Sequence, residues 1–175
     1  MPAERVNLPA AVAGCIEACE RCAAIAAAVD PHGFRDAPAG RSSIGAHLRH
    51  ALEHVECLLQ GMSAGLVDYD ARPRDPELET DPDAMRAAVQ RVCASLSGID
   101  GARLDERLTV RESVTSGRDP ERSTSTVARE LTFVSGHTIH HVEIAGLVAA
   151  IQGTDLPPDL GLAFSTAAWQ ARRAQ

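Results

Sequence analysis

The chain has 175 residues, 45% of them hydrophobic, which is enough to build one domain, 1–175, around a real core. Only 3% is aromatic, net charge is -7 and all seventeen basic residues are arginine. No basic stripe interleaved with stacking rings is present, so nucleic acid and anionic membrane surfaces are excluded as expected partners.

The opening MPAERVNLPAAVAG has no cationic segment followed by a long apolar run, and the apolar run from Ala23 to Val29 is too short to span a bilayer. A cytoplasmic location is expected. Alanine-rich sequence predicts a first helix from about Leu8 to Val29, ended by Asp30, Pro31 and Gly33. Within it Cys15, Cys19 and Cys22 have a C-x3-C-x2-C spacing that also occurs in radical enzymes with an iron–sulfur cluster. An uninterrupted helix is the wrong setting for that cluster, and buried small apolar side chains are expected instead, with a redox pair or adventitious metal site as the alternative.

After the loop HGFRDAPAGR, Ser42 or Ser43 caps a second helix from about Ile44 to Met62, whose apolar stripe is Ile44, Leu48, Ala51, Leu52, Val55 and Leu58. The charged, proline-rich stretch from Tyr69 to Thr80 reads as a long exposed crossing loop. Asp81, followed by Pro82, opens a third helix to about Ser97. LTVRESV alternates weakly and predicts a short strand or hairpin, and SGRDPERS a turn. Ser125 or Thr126 then caps the longest helix, Val127 to about Gln152, with a bundle seam at Val127, Leu131, Val134, Thr138, His141, Ala145 and Val148.

Six of the seven histidines fall in two of these helices: His47, His50 and His54 in the second, and His137, His140 and His141 in the last. Residues three or four apart share one helix face, so each stretch can aim two imidazoles at one point. His137 and His141 lie one turn apart, whereas His140 points about 60 degrees away. On the second helix any of His47, His50 and His54, which flank the apolar stripe, can face that pair across the bundle rim. Neutral imidazoles so placed suit zinc, nickel, copper or iron. His32, in a Pro-Gly loop, is expected to be solvated. Glu53, Glu56, Glu130 and Glu143 are close enough by spacing to serve as base or hydrogen-bond acceptor, although most such glutamates only solvate a helix. H-E-x-x-H, G-x-S-x-G, a P-loop and a dinucleotide glycine motif are all absent from the sequence.

The pattern of SSIGAHLRHALEH in the second helix and HTIHH in the last resembles the DinB-like superfamily, from the first helix to about Gly153. The resemblance implies an all-α four-helix bundle with a long crossing loop and an irregular segment before the last long helix. It also implies a three-histidine site for a divalent metal, carried over here onto His50, His137 and His141, with His47 and His54 as fallback choices for the helix-two ligand. Many relatives have Asn before the first histidine of the pair and Arg-Gly after the double histidine, where this chain has Gly136 and Val142-Glu143. The C-terminal LPPDLGLAFSTAAW resembles a tail of one branch of that superfamily.

A set of three histidines leaves coordination positions open, with which a metal lowers the pKa of a bound water or thiol and polarises a substrate. The expected function is thus a metal-dependent enzyme, a thiol-dependent transferase or isomerase or a hydrolase, acting on a small molecule. Zinc or nickel is the expected ion, with iron or manganese next, and a low-molecular-weight thiol is the expected co-substrate. The alternatives are a non-enzymatic metal-binding or stress-response bundle, and a metal-free dimerisation bundle. A homodimer is expected, formed through the alanine-rich first helix and the long last one.

Overall fold

In the computed structural model, which describes residues 8–173, local chemistry sets where each helix begins. Helix α1 (Ala10–Ala28) follows Pro9, and Asp30 accepts from the N–H groups of His32 and Gly33 to start the short α2 (Pro31–Arg35). Ser43 Oγ accepts from the Ala46 N–H at 3.0 Å and opens α3 (Ile44–Ala64). Asp75 caps α4 (Pro76–Thr80), and Asp81 caps α5 (Pro82–Ser97), each with proline at the first helical position. Thr126 caps α6 (Val127–Ile151), and α7 (Phe164–Arg173) ends the described chain.

The long helices α1, α3, α5 and α6 form the expected all-α bundle. Helix α1 packs against α5 and α6, and α3 closes the ring by packing on α6 and α5. The predicted stripe of α3 is wholly buried, and of the α6 seam only His141 remains half-buried rather than buried. Burial of Ile16, Ile25, Leu48, Leu52, Leu131 and Val134, each contributing about 2 kcal/mol, holds these helices together.

Three features differ from expectation. LTVRESV forms the expected hairpin strand, β2 (Arg107–Glu112), antiparallel to β3 (Glu121–Thr126), but the SGRDPERS turn is shorter than predicted and ends before Glu121. A strand that was not foreseen, β1 (Leu66–Asp68), adds to it in parallel with Val67 opposite Val110, because Val67, Leu108 and Val110 supply a buried face. The stretch from Tyr69 to Thr80 is not simply exposed: Tyr69 and Leu78 are buried, and α4 lies on α3. Two glycines permit this. A Cβ at Gly45 would overlap the Glu79 carbonyl, and one at Gly61 would come within 2.6 Å of the Leu66 carbonyl oxygen.

Cys15, Cys19 and Cys22 are free and buried, as expected, inside the chain's own core. The side of α1 that carries them is therefore turned into the bundle rather than outward. Behind α1, Arg21 donates to the carbonyls of Leu160 and Leu162, each at 2.9 Å, and fastens the segment leading to α7. Among the described residues no helix is long and apolar enough to cross a membrane.

Candidate metal centre

The facing of α3 and α6 turns the two histidine stretches into one cluster. His50 and His54 sit one turn apart on α3, His137 and His141 one turn apart on α6, and their rings form a closed quadrilateral. Successive centroid separations are 4.5 Å for His50 to His54, 4.3 Å for His54 to His137, 4.6 Å for His137 to His141 and 4.5 Å for His141 back to His50. His50 and His137 face each other across it at 5.1 Å. The structure therefore brings His50, His137 and His141 together, and adds His54 beside them. One ring nitrogen each from His50, His54 and His137 makes the tightest grouping, the three lying within 4.8 Å of one another.

The outer histidines bind this ring rather than enter it. His47 Nδ1 lies 3.1 Å from His141 Nδ1, so one of the two nitrogens carries the proton they share. A proton on His141 Nδ1 leaves the His141 Nε2 lone pair free to bind an ion. His54 is fixed in the same way: its Nδ1 lies 2.7 Å from the His50 carbonyl oxygen, an acceptor, so Nδ1 carries the hydrogen and Nε2 the lone pair. Exposed His140 meets the flank of His141, with ring centroids 5.4 Å apart, and His32 is exposed on α2.

Burial, which strips water from the charged form, is the main reason that His50 is held at a pKa of about 3 and His54, His137 and His141 at about 4. Repulsion among the rings adds to it, and His47 is lowered for the same reasons. All five are neutral near pH 7, the form that ligates metals. His137 Nε2 is buried without a hydrogen-bond partner, a position that a metal would satisfy. The donor set fits a divalent cation.

Sequence reasoning missed the polar groups supplied by the crossing segment. Tyr69, in the turn after β1, places its ring 5.4 Å from that of His54 and donates its hydroxyl to Glu130 Oε2 at 2.7 Å. Ser125 donates to the other oxygen of Glu130 at 2.6 Å. Burial and this acidic partner push the Tyr69 hydroxyl well above its usual pKa, so it stays protonated. Arg72 Nη1 lies 3.2 Å from His54 Nε2 and also donates to the Tyr69 carbonyl. A guanidinium only donates, which agrees with the lone pair assigned to His54 Nε2.

Of the four glutamates singled out, Glu130 is thus two contacts from the ring. Glu53 turns its carboxylate to the Asp75 N–H at 2.8 Å and pins the far end of the crossing segment. Glu56 is half-buried with its pKa raised, first by burial and then by Glu53, and Glu143 lies against Gly161.

Fold and site define a class: a four-helix bundle with a histidine cluster at its rim whose donors fit a divalent metal. Residues 16–145 match the sequence pattern of the DinB superfamily, and the chain belongs to that superfamily. No curated protein and no solved structure matches it.

Proposed function

We propose that the protein is a metal-dependent enzyme in which His50, His137 and His141 hold a zinc or nickel ion, and that it acts on a small molecule, either with a low-molecular-weight thiol or by hydrolysis. The observation that carries this reading is the buried, unpartnered Nε2 of His137 inside a closed ring of neutral imidazoles. His54 belongs to the tightest nitrogen grouping, but its lone pair is already engaged by Arg72, whereas His47 can leave His141 Nε2 free. That difference supports a ligand set that includes His141, with His54 at its edge. A bound ion would supply a Lewis acid and lower the pKa of a thiol or water beside it. The chain's own residues orient the imidazoles through His47 and the His50 carbonyl, and keep a protonated hydroxyl at Tyr69 next to His54. Two protomers, each with one such site, would pair through the apolar outer face of α6, where Leu147 and Ile151 are 57% and 73% exposed.

The test is metal analysis of the purified protein, a ligand count by X-ray absorption, and assays of ester hydrolysis and of thiol addition to electrophiles with and without chelator. Metal loading with chelator-sensitive turnover is expected. Absence of both copurified and rebound metal refutes the reading. The fourth imidazole, His54, favours a second reading, a structural ion closed off by four protein ligands. Four histidines around the ion and no turnover would select it.

A further inference from the structure

Arg72 brings a positive charge to a site of neutral imidazoles. The only hydrogen bonds of its guanidinium, among the described residues, are made by Nη1, to the Tyr69 carbonyl and to His54 Nε2. Of the neighbouring carboxylates, Asp68 accepts from Arg111 at 2.6 Å, Asp70 from Ser113 at 2.7 Å, and Glu130 from Tyr69 and Ser125, while Glu112 is close enough to feel the Arg72 charge without pairing with it. No carboxylate lies within ion-pair distance of Arg72 among the described residues.

With Nη1 occupied, the edge formed by Nε–H and Nη2–H is left, and that edge pairs side-on with a planar carboxylate through two parallel hydrogen bonds. A half-buried cation beside a bound dication is unfavourable unless an anion lies between them. We infer that Arg72 is the anchor for a carboxylate of the small-molecule substrate, held in place by His54 and the Tyr69 carbonyl at the edge of the metal centre. This rests on the metal-centre reading above, and it narrows the substrate to an organic acid. His54 thereby has a role outside the ligand set: its lone pair orients the guanidinium.

The test uses the full chain loaded with cobalt(II), whose visible absorption reports changes at the ion, titrated with acetate and separately with inorganic phosphate. Arg72→Gln is expected to weaken acetate binding at least about tenfold, the loss that follows from removing a bidentate charge-assisted pair. The same substitution should raise cobalt affinity, because it removes a repelling charge and frees His54. Arg72→Lys should keep only part of the acetate affinity, since an ammonium lacks the fork. A merely structural role would lower both affinities together and would overturn the inference, as would unchanged acetate binding in Arg72→Gln. Phosphate binding that depends on Arg72 while acetate binding does not would overturn the carboxylate assignment. If cobalt fails to bind the wild-type chain, the metal reading has failed. The anchor is then judged by NMR of the arginine Nε–H signals in metal-free protein, where an Arg72 signal unmoved by acetate overturns it.

Discussion

Replacing Tyr69 by Phe removes one oxygen atom from the centre of the molecule and leaves the ring that packs between His54 and Phe133, so no cavity opens. What is lost is a buried hydrogen bond to a carboxylate, 2.7 Å long and spanning 61 residues of chain. Glu130 keeps Ser125 on Oε1, but its Oε2 is left without that donor. The nearest cation, Arg129, is 4.0 Å from Oε1 with a side chain 63% exposed, and an ion pair so exposed offsets little. A hydrogen bond to a charged group is worth about 1.5–3 kcal/mol and an orphaned buried acceptor costs as much, so Tyr69→Phe should destabilise by about 2–3 kcal/mol. For a chain of this size that lowers the midpoint of thermal unfolding by roughly 4–12 °C. Urea unfolding followed by circular dichroism measures it, with Ser125→Ala as the parallel deletion on Oε1 and the double variant to expose coupling. A Tyr69→Phe change of less than about 0.5 kcal/mol, within the range of ordinary surface substitutions, would refute the view that this network fastens the crossing segment to α6.

Four further outcomes follow from the same structure. The ring histidines have pKa values depressed to about 3 or 4, so on acidification below their ordinary value near 6.5 the unfolded chain binds protons that the folded one does not. Metal-free protein should therefore lose stability as pH falls from about 6.5 towards 4, by up to about 1.4 kcal/mol per pH unit for each excess proton; urea midpoints that stay flat across this range contradict the assigned burial. His137→Ala or His141→Ala should abolish most metal uptake with the helical dichroism kept, and His50→Ala should weaken it more than His47→Ala or His54→Ala; equal loading in all variants removes the proposed ligand set. Gly45→Ala drives a methyl group into the Glu79 carbonyl and should cost about 1–3 kcal/mol, measured by urea unfolding, while a neutral result would mean that α4 does not lie where it is placed. Light scattering under reducing conditions should give a dimer, and a monomer at micromolar concentration would exclude pairing through Leu147 and Ile151.

The bundle was legible because its signals are local. Ser43, Asp81 and Thr126 each sit one residue before an apolar periodicity, and each caps the helix that follows. The histidines could be grouped for the same reason, since three fall within two turns of α3 and three within two turns of α6. The short helices α2 and α4 were hidden because five residues cannot display a 3.6-residue period, and strand β1 because three residues cannot display alternation. Tyr69 and Arg72 were invisible for a different reason. Their importance arises only when the turn after β1 is laid against α3 and α6, which no spacing along the chain encodes. Glu130 stood out by its nearness to His137, yet its partners, Tyr69 and Ser125, come from the crossing segment and from β3.

The crossing segment also separates two kinds of change that a lineage or an engineer could make. It is nailed at one end by β1 in register with β2 and at the other by the Asp75 N–H on Glu53. Between these fixed points lie Tyr69 and Arg72, while the imidazoles of the ring all come from helices on the far side of the boundary. Residues 69–74 thus form a short replaceable cassette. Exchanging its exposed positions while Tyr69 is kept would alter what is recognised at the rim and, through Arg72, how far His54 is free to join the donors beneath, so chains with the same histidines can be expected to diverge first in the chemistry of this span.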